Sequence, residues 1–173
     1  MKPEAEDIVL LLGGNVGDTH VLLAEARIML SRRVGEELCC SGLYETEPWG
    51  MVAQQMFINQ AVLLRTELAP LQCLNELQAI EIALGRQPHA VAYNADGSRR
   101  YASRPIDIDI IFYGSQVLNT PRLTVPHPRM HLRRFVLEPL VEVVPNYIHP
   151  LLKRSVVELL ADCHDDGCVT RIG

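Results

Sequence analysis

The chain has 173 residues, of which 48% are hydrophobic, so it is long and apolar enough for one well-buried domain. Its net charge is −5 and it contains no block of Lys and Arg, which argues against nucleic acid as the main ligand. No apolar run approaches the ~20 residues that span a bilayer, and the acidic residues 1–7 are not typical of a signal peptide.

Two further features of the composition narrow the chemistry. The cysteines are odd in number and lack the spacing of a disulfide framework, which favours free thiols and a reducing, cytoplasmic location. Cys163, His164 and Cys168 have no second cysteine pair that would complete a zinc site. Lysine occurs only at Lys2 and Lys153, and no phosphate-binding loop ends in Lys-Ser or Lys-Thr. Any phosphate would therefore be bound by arginines and metal.

The first part of the chain predicts a strand followed by a helix. Residues 7–12 form a continuous apolar run typical of a buried strand, and residues 13–17 indicate a tight turn. Asp18 or Thr19 is placed to cap a helix that runs to about Arg33. Three apolar residues are expected on its buried side: Leu22, Ala26 and Met29.

Two strands and a second helix follow. Residues 37–45 predict the second strand, and residues 56–66, rich in Ile, Val and Leu, predict the third. Pro70 suits the first turn of the second helix, and Gly85 suits its end. The apolar stripe of this helix consists of Leu77, Ile80 and Leu84.

The remaining part of the chain predicts a long loop, a strand and a tail. Residues 86–103 have no periodicity and are long for a connection, as in a lid or an irregular loop. Residues 106–110 alternate Ile and Asp, which is the period of a strand. A short strand at residues 117–118 is expected to form a hairpin with it, and two short helices follow at residues 135–144 and 156–163.

The predicted order is β-α-β-β-α-β with a C-terminal extension. This order favours an α+β fold of the ferredoxin-like kind, with an antiparallel sheet and helices packed on one face. We expect a single domain over residues 1–173 with its core at about 7–160. A monomer is expected. Residues 7–12 form either a central strand or an edge strand of the sheet, and an exposed edge would favour dimerisation.

The alternation of Ile and Asp is the most informative pattern for function. Asp107 and Asp109 point to the same side of a strand, roughly 7 Å apart at about 3.3 Å per residue. Two carboxylates so placed repel each other unless a cation lies between them, and divalent cations with phosphate as further ligands suit the position. The alternative is a solvated strand face.

Other polar residues indicate a small-molecule site. Phe57 and Asn59 share one face of the third strand, where a ring that stacks and an amide that pairs suit a flat heterocycle; the alternative is a core Phe beside a turn. Residues 13–15 are glycine-rich and allow close approach of a ligand, or form a plain turn. His127 lies between two prolines that hold it in place to donate to a phosphate or ribose; the alternative is a packed turn histidine. Gln78 and Glu81 are neighbours on the second helix, where such a pair is usually solvated surface. Four arginines lie near element boundaries, where their forks suit phosphate: Arg86, Arg104, Arg122 and Arg133.

Taken together, seven motifs in order resemble the 6-hydroxymethyl-7,8-dihydropterin pyrophosphokinase family of folate biosynthesis. They are Leu-Gly-Gly-Asn at 12–15, Tyr-Glu-Thr-Glu-Pro-Trp-Gly at 44–50, Gln-Met-Phe-Ile-Asn at 55–59, Glu-Ile-Ala-Leu-Gly-Arg at 81–86, Arg-Pro-Ile-Asp-Ile-Asp-Ile at 104–110, Arg-Leu-Thr-Val-Pro-His-Pro at 122–128 and Arg-Arg-Phe-Val-Leu-Glu-Pro-Leu at 133–140. The resemblance covers residues 7–160. It implies transfer of the pyrophosphoryl group of ATP to the hydroxymethyl oxygen of the pterin, with release of AMP.

The resemblance also implies roles for individual residues. Asp107 and Asp109 match the pair that binds two Mg²⁺ ions, and Arg104, Arg133 and Arg86 match catalytic arginines, with Arg86 beginning the closing loop. The positions that match the ATP site are Gln78, Glu81, Arg104, Ile110, Arg122, Thr124, His127 and Arg133. The positions that match the pterin site are Thr46, Trp49, Phe57, Asn59, Phe135 and, from the closing loop, Tyr101.

The chain departs from the family pattern at several positions. Gly14 replaces a usual serine, Tyr101 stands at a common tryptophan, and Arg134 replaces a glycine before the second sandwiching ring. A second arginine early in the loop has no match near Gln87 and Pro88. These differences bear on lid closure and turnover more than on the reaction.

Two other functions fit parts of the pattern. A non-catalytic ferredoxin-like module that binds a small regulatory ligand explains the fold equally well, but not the carboxylate pair beside arginines. A nucleotidyltransferase that uses the two aspartates would release pyrophosphate, whereas the pyrophosphokinase releases AMP.

Overall fold

The computed structural model describes residues 4–47, 55–86 and 105–173, together with the backbone of 92–93 and 99–100. The helices are α1 (Thr19–Arg33), α2 (Pro70–Ala83), α3 (Arg134–Val143) and α4 (Val156–Ala161), with a 3₁₀ turn at Met130–Leu132. The strands are β1 (Glu6–Gly14), β2 (Gly35–Cys40), β3 (Tyr44–Thr46), β4 (Phe57–Thr66), β5 (Ala92–Tyr93), β6 (Arg99–Arg100), β7 (Asp107–Tyr113), β8 (Leu118–Asn119), β9 (Thr124–Val125) and β10 (Val169–Arg171). An α+β chain with an antiparallel sheet is thereby confirmed.

The main sheet is built around β1. This strand pairs antiparallel with β4 on one side and with β7 on the other, while β2 and β3 both pair with β4. Its apolar run is buried on both faces because helices cover both sides of the sheet. β1 is therefore a central strand, and the alternative of an exposed edge at residues 7–12 is wrong.

The first face of the sheet is covered by α1 and α2. Ile8, Leu10 and Leu12 of β1 pack in this core. Asp18 Oδ1 accepts from the Val21 N–H at 3.3 Å and caps α1, as predicted. The buried apolar residues of α1 are Leu23, Ala26 and Leu30, and Met29 packs against the same core. The predicted stripe is therefore confirmed at Ala26 and Met29 and was wrong at Leu22, where Leu23 takes its place.

The second face is covered by α3 and α4. Val9 and Leu11 of β1 pack there with apolar residues of both helices, including Val136, Leu137 and Val156. The expectation of helices on one face therefore holds for α1 and α2 only. The C-terminal extension closes the opposite side of the sheet.

Several short elements differ from the prediction. The predicted strand at 37–45 is two strands, β2 and β3, separated at Ser41, whose hydroxyl oxygen accepts from the Ala61 N–H at 2.9 Å. β8 pairs with β9 and not with β7. The long loop contains the paired strands β5 and β6, and β10 pairs with β3 at the edge of the sheet.

Pairing between β1 and β7 contains one bulge. Val9 lies opposite Phe112 and Leu10 lies opposite Ile110, so Ile111 is an extra residue on β7. Because of this extra residue, Ile111 and Phe112 both pack in the second core. The bulge separates the Ile/Asp alternation from the end of the strand.

Gly13 and Gly14 belong to β1, so the prediction of a turn at these residues was wrong. Gly13 lies opposite Asn59 of β4, and a Cβ on Gly13 would lie 2.2 Å from Asn59 Oδ1. The glycine is required because the Asn59 side chain occupies the space above it. The turn follows at residues 15–18, where Gly17 has φ +76°.

Among the described residues, we find no helix that combines the length and apolar character needed to cross a bilayer.

Replacing Gly13 with alanine should lower the free energy of unfolding by about 1–3 kcal/mol, since the new methyl group displaces Asn59. Urea denaturation measures this loss. The double variant Gly13→Ala, Asn59→Ala should cost less than the sum of the single variants, because the clash is absent. Additive losses would show that Asn59 does not constrain position 13.

Candidate active site

Three residues on neighbouring strands form a row across the sheet. Gly13 of β1 lies opposite Asn59 of β4 on one side and opposite Asp107 of β7 on the other. Residues directly opposite one another in antiparallel strands point to the same face, so Asn59 and Asp107 share a face across a glycine, about 10 Å apart at two strand spacings. The row therefore brings a buried amide and a carboxylate to one surface.

Asp109 extends this row along β7. It lies opposite Leu11, which packs in the second core, so Asp107 and Asp109 lie on the same face as α3. Both residues are half-buried, and the intervening Ile108 is buried in the first core. The register of β7 against β1 therefore places the two aspartates side by side on one face of the strand, as predicted.

The donor set of this pair fits Mg²⁺, which takes a few carboxylate oxygens and completes its shell with phosphate and water. Among residues 4–47, 55–86 and 105–173, no group of three or more His, Cys, Asp or Glu side chains is arranged to hold a metal. Two carboxylates that leave other positions to phosphate oxygens suit this arrangement better than a metal site made entirely by protein.

Arg86 joins Asp107 to Glu81 at the end of α2. Its Nη1 lies 3.0 Å from Asp107 Oδ1 and 2.7 Å from Glu81 Oε2. Glu81 Oε2 also accepts from the Ile108 N–H at 2.9 Å. The first arginine of the long loop is therefore bound to both a strand residue and a helix residue, and its guanidinium lies beside the aspartate pair.

Glu81 is a buried carboxyl group, only 5% exposed. Burial raises the pKa of Glu81 from 4.5 to about 7, and the nearby charge of Asp107 acts in the same direction. The Ile108 N–H and the Arg86 guanidinium act in the opposite direction because they stabilise the carboxylate. Glu81 therefore holds a proton more readily than an ordinary glutamate.

His127 lies near both Asp107 and Arg133. Burial lowers the pKa of His127, and the charge of Arg133 lowers it further, whereas Asp107 raises it. His127 Nδ1 accepts from the Arg129 N–H at 3.2 Å, which assigns the proton of the neutral ring to Nε2. The histidine therefore has one N–H that it can donate to an anionic ligand.

Two aromatic rings lie on the same side of the sheet as the aspartates. Phe57 begins β4 two residues before Asn59 and is half-buried, and Phe135 lies in the first turn of α3 against the second core. The Arg133 guanidinium carbon lies 5.8 Å from the centre of the Phe135 ring. Thr46 of β3 lies opposite Phe57 and is buried. Thr46, Phe57 and Asn59 are therefore grouped by strand pairing.

The predicted nucleotide-binding residues follow α2 and β9. Gln78 is exposed on α2. Asn75 lies one turn before it on the same helix, and its Oδ1 accepts from Arg122 Nη2 at 2.6 Å. Thr124 is half-buried on β9. Ile110 differs from the others because its side chain lies in the first core, so only its backbone is available to a ligand.

Three predicted site residues lie outside the described residues: Trp49, Tyr101 and Arg104.

Sequence reasoning missed the contacts of Gln55, which lies two residues before β4. Gln55 Nε2 donates to Gly17 O at 3.0 Å and to Thr19 Oγ1 at 3.2 Å, which connects the start of α1 to the segment before β4. An open cleft of about 510 Å³ lies here, bordered also by Glu45 and Ile58. Gln55 was part of a quoted motif but was given no role, since no local pattern indicates its contacts.

Replacing Glu81 with glutamine should change how stability depends on pH. In the unfolded chain the carboxyl releases its proton near 4.5, and in the folded protein it does so near 7. Its contribution is therefore complete below 4.5 and is lost as pH rises through 7. Because glutamine does not titrate, Glu81→Gln should remove up to about 3 kcal/mol of this decrease.

Urea unfolding at a series of pH values measures this difference. Glu25→Gln, at an exposed position on α1, serves as the control and should follow the wild type. The same pH slope in wild type and Glu81→Gln would contradict the assignment.

Comparison of sequences supports the motif-based resemblance. Residues 9–145 match the 7,8-dihydro-6-hydroxymethylpterin-pyrophosphokinase (HPPK) family. The 2-amino-4-hydroxy-6-hydroxymethyldihydropteridine pyrophosphokinase of Porphyromonas gingivalis is 44% identical over 144 residues, which is 83% of this chain and 93% of that protein. The Synechocystis protein of the same name is 36% identical over 158 residues, which is 90% of this chain and 76% of that protein.

Comparison of structures gives the same fold. The crystal structure of Plasmodium falciparum HPPK-DHPS with pteroate matches with a TM-score of 0.71 at 18% identity. The match covers 93% of this chain, which spans 43% of that longer chain. On the family match and the two bacterial relatives, the chain belongs to the 7,8-dihydro-6-hydroxymethylpterin pyrophosphokinase family and is a diphosphokinase.

Proposed function

We propose that the protein transfers the pyrophosphoryl group of ATP to the hydroxymethyl oxygen of 6-hydroxymethyl-7,8-dihydropterin in folate biosynthesis, using two Mg²⁺ ions. The observation that carries this proposal is the row of Asn59, Gly13 and Asp107 across three strands. This row supports a pterin-binding amide, Asn59, and a metal-binding carboxylate, Asp107, on one face of the sheet, separated by a glycine. Arg86 and His127 lie around the carboxylate end of this row, and Arg133 lies near His127.

In the proposed reaction the hydroxymethyl oxygen forms a bond to the β-phosphorus of ATP. The bond between that phosphorus and the oxygen bridging to the α-phosphorus breaks, and AMP leaves with the bridging oxygen. The hydroxyl proton passes to a carboxylate or a phosphate oxygen. Negative charge around phosphorus opposes this attack, so positioning and charge stabilisation provide most of the rate.

Asp107 and Asp109 would hold the magnesium ions. When bound, the ions neutralise phosphate charge and lower the pKa of the attacking hydroxyl. Arg86 would then exchange its contact with Asp107 for phosphate oxygens and remain paired with Glu81. Arg133, Arg104 and the Nε2 proton of His127 would stabilise charge on the transferred and leaving groups.

The remaining residues would bind the two substrates. Phe57 and Phe135 would enclose the pterin ring, and Asn59 and Thr46 would read its polar edge, with Trp49 and Tyr101 completing the pocket. Gln78, Glu81, Arg122 and Thr124 and the backbone of Ile110 would line the ATP site. The substrates are then small molecules, bound by a monomer without nucleic acid.

The finer description of the fold is part of this proposal. The order β2–β4–β1–β7, with α1 and α2 as crossovers, supports a ferredoxin-like β-α-β-β-α-β unit within one pyrophosphokinase domain over residues 1–173, with its core at 7–160. The free thiol of each of the five cysteines supports a cytoplasmic location.

Product analysis separates the proposed reaction from its rivals. With ATP, magnesium and the reduced hydroxymethylpterin, the expected nucleotide product is AMP, identified by chromatography. Release of pyrophosphate would favour a nucleotidyltransferase, and binding of an ATP analogue without turnover would favour a regulatory module.

Replacing either aspartate of the pair with asparagine should lower kcat by at least about 10²-fold, because the proposed magnesium site would lose a charged ligand. Circular dichroism should remain that of the wild type. Asp7→Asn, at the opposite end of β1 and paired with Arg65, should keep full activity. Near-normal turnover of Asp107→Asn or Asp109→Asn at saturating magnesium would exclude the metal-binding roles.

Replacing Phe57 with alanine should weaken pterin binding by about 1–3 kcal/mol, because stacking and apolar burial are lost. Calorimetry with the pterin and, separately, with α,β-methylene-ATP measures the two affinities. The ATP analogue is the internal control and should bind as to wild type. Equal losses for both ligands would identify Phe57 as a core residue only.

A further inference from the structure

The last residues of the chain contact β3, which carries Thr46. In this C-terminal tail segment (residues 165–173), Val169 of β10 lies opposite Thr46. Leu43 N donates to Gly173 O at 2.7 Å, and Ile172 N donates to Leu43 O at 2.8 Å. The three-residue strand β3 is therefore held between β4 and β10, and its backbone is paired on both sides.

The start of the tail segment also contacts the first turn of α3. The N-cap residue, Arg133, has no side-chain cap. Asp165 Oδ2 instead accepts from the Arg134 N–H at 3.0 Å, and the Asp165 carbonyl accepts from Arg134 Nε at 2.9 Å. A carboxylate at this position satisfies a free N–H and complements the positive end of the helix. Phe135 is the next residue along the helix.

The other end of α3 is connected to the same segment through Glu142. Its carboxylate accepts from Arg171 Nε at 3.1 Å, from the Gly42 N–H at 2.9 Å and from the Tyr44 hydroxyl at 2.8 Å. The tail segment therefore crosses from the first turn of α3 to its last turn while it pairs with β3.

We infer that the tail segment positions the two walls of the pterin pocket, with Asp165 as the positioning residue for Phe135 and β10 as the support for Thr46. The inference rests on the proposed function, since it needs both residues to contact pterin. A ring held in place before binding loses less side-chain freedom on stacking, so a fixed α3 start favours tight binding. Arg134, which departs from the family pattern, is the residue through which Asp165 acts.

The test compares Asp165→Ala, Asp165→Asn and Asp166→Ala with the wild type. Each protein is saturated with α,β-methylene-ATP and magnesium and titrated calorimetrically with the hydroxymethylpterin. Asp165→Ala should raise the pterin Kd about five- to tenfold and leave the Kd of the ATP analogue unchanged. Asp165→Asn keeps an oxygen that accepts from the Arg134 N–H and should restore most of the affinity. Asp166, an exposed neighbour outside these hydrogen bonds, is the matched control and should match the wild type.

A purely structural role gives a different result. A purely structural role would lower Tm and weaken the binding of both ligands to the same extent in Asp165→Ala. That outcome, or an unchanged Kd for the pterin in this variant, would overturn the inference. Wild-type protein that binds the ATP analogue but not the pterin would overturn the proposed function itself. The two failures are therefore distinguishable.

Discussion

The register of β1 against its two neighbours is the constraint on which the site depends. Asn59, Asp107 and Asp109 face the same side only because Gly13 and Leu11 lie opposite them. A slip of one residue between β1 and β7 would bury the carboxylates among α1 and α2, and a slip between β1 and β4 would turn Asn59 to that face. The apolar residues of β1 prevent either slip because they alternate between the two cores: Ile8, Leu10 and Leu12 pack in the first core, and Val9 and Leu11 pack in the second. The stability of the core and the geometry of the site are therefore set by the same contacts.

Charge around Asp107 is balanced by residues at the end of α2 and on β7. Arg86 at the end of α2 lies between two carboxylates, one on the helix and one on the strand. Burial disfavours the ionised form of Glu81, whereas the guanidinium and the Ile108 N–H favour it. A buried carboxyl in this balance responds to any change of charge nearby. Arrival of a cation or a phosphate beside Asp107 would therefore alter the protonation of Glu81 as well as the contacts of Arg86.

The sequence predicted the elements that local patterns define. Apolar periodicity indicated four elements, β1, α1, β4 and α2. Asp18 marked the start of α1, and Pro70 and Gly85 marked the two ends of α2. The shared face of the aspartates followed from the two-residue period of a strand. The sequence did not predict the separation of β2 from β3 or the pairing of β10, since both depend on contacts between distant residues. Asp165 was missed for the same reason, because it lies 31 positions from Arg134. The motif resemblance identified the family before any of these contacts was known, but it assigned no role to Gln55 or to the tail.

The bulge on β7 has a consequence for how the chain tolerates changes in length. Ile111 is the extra residue, and the acidic pair lies on its N-terminal side. Loss or gain of one residue after the bulge would leave both carboxylates facing α3, because the alternation before it is set independently. Deletion of Ile110 would remove the bulge and leave the pair in place as well, because Ile111 would then lie opposite Leu10. The bulge is therefore a position at which the length of β7 can change by one residue without displacing the carboxylates.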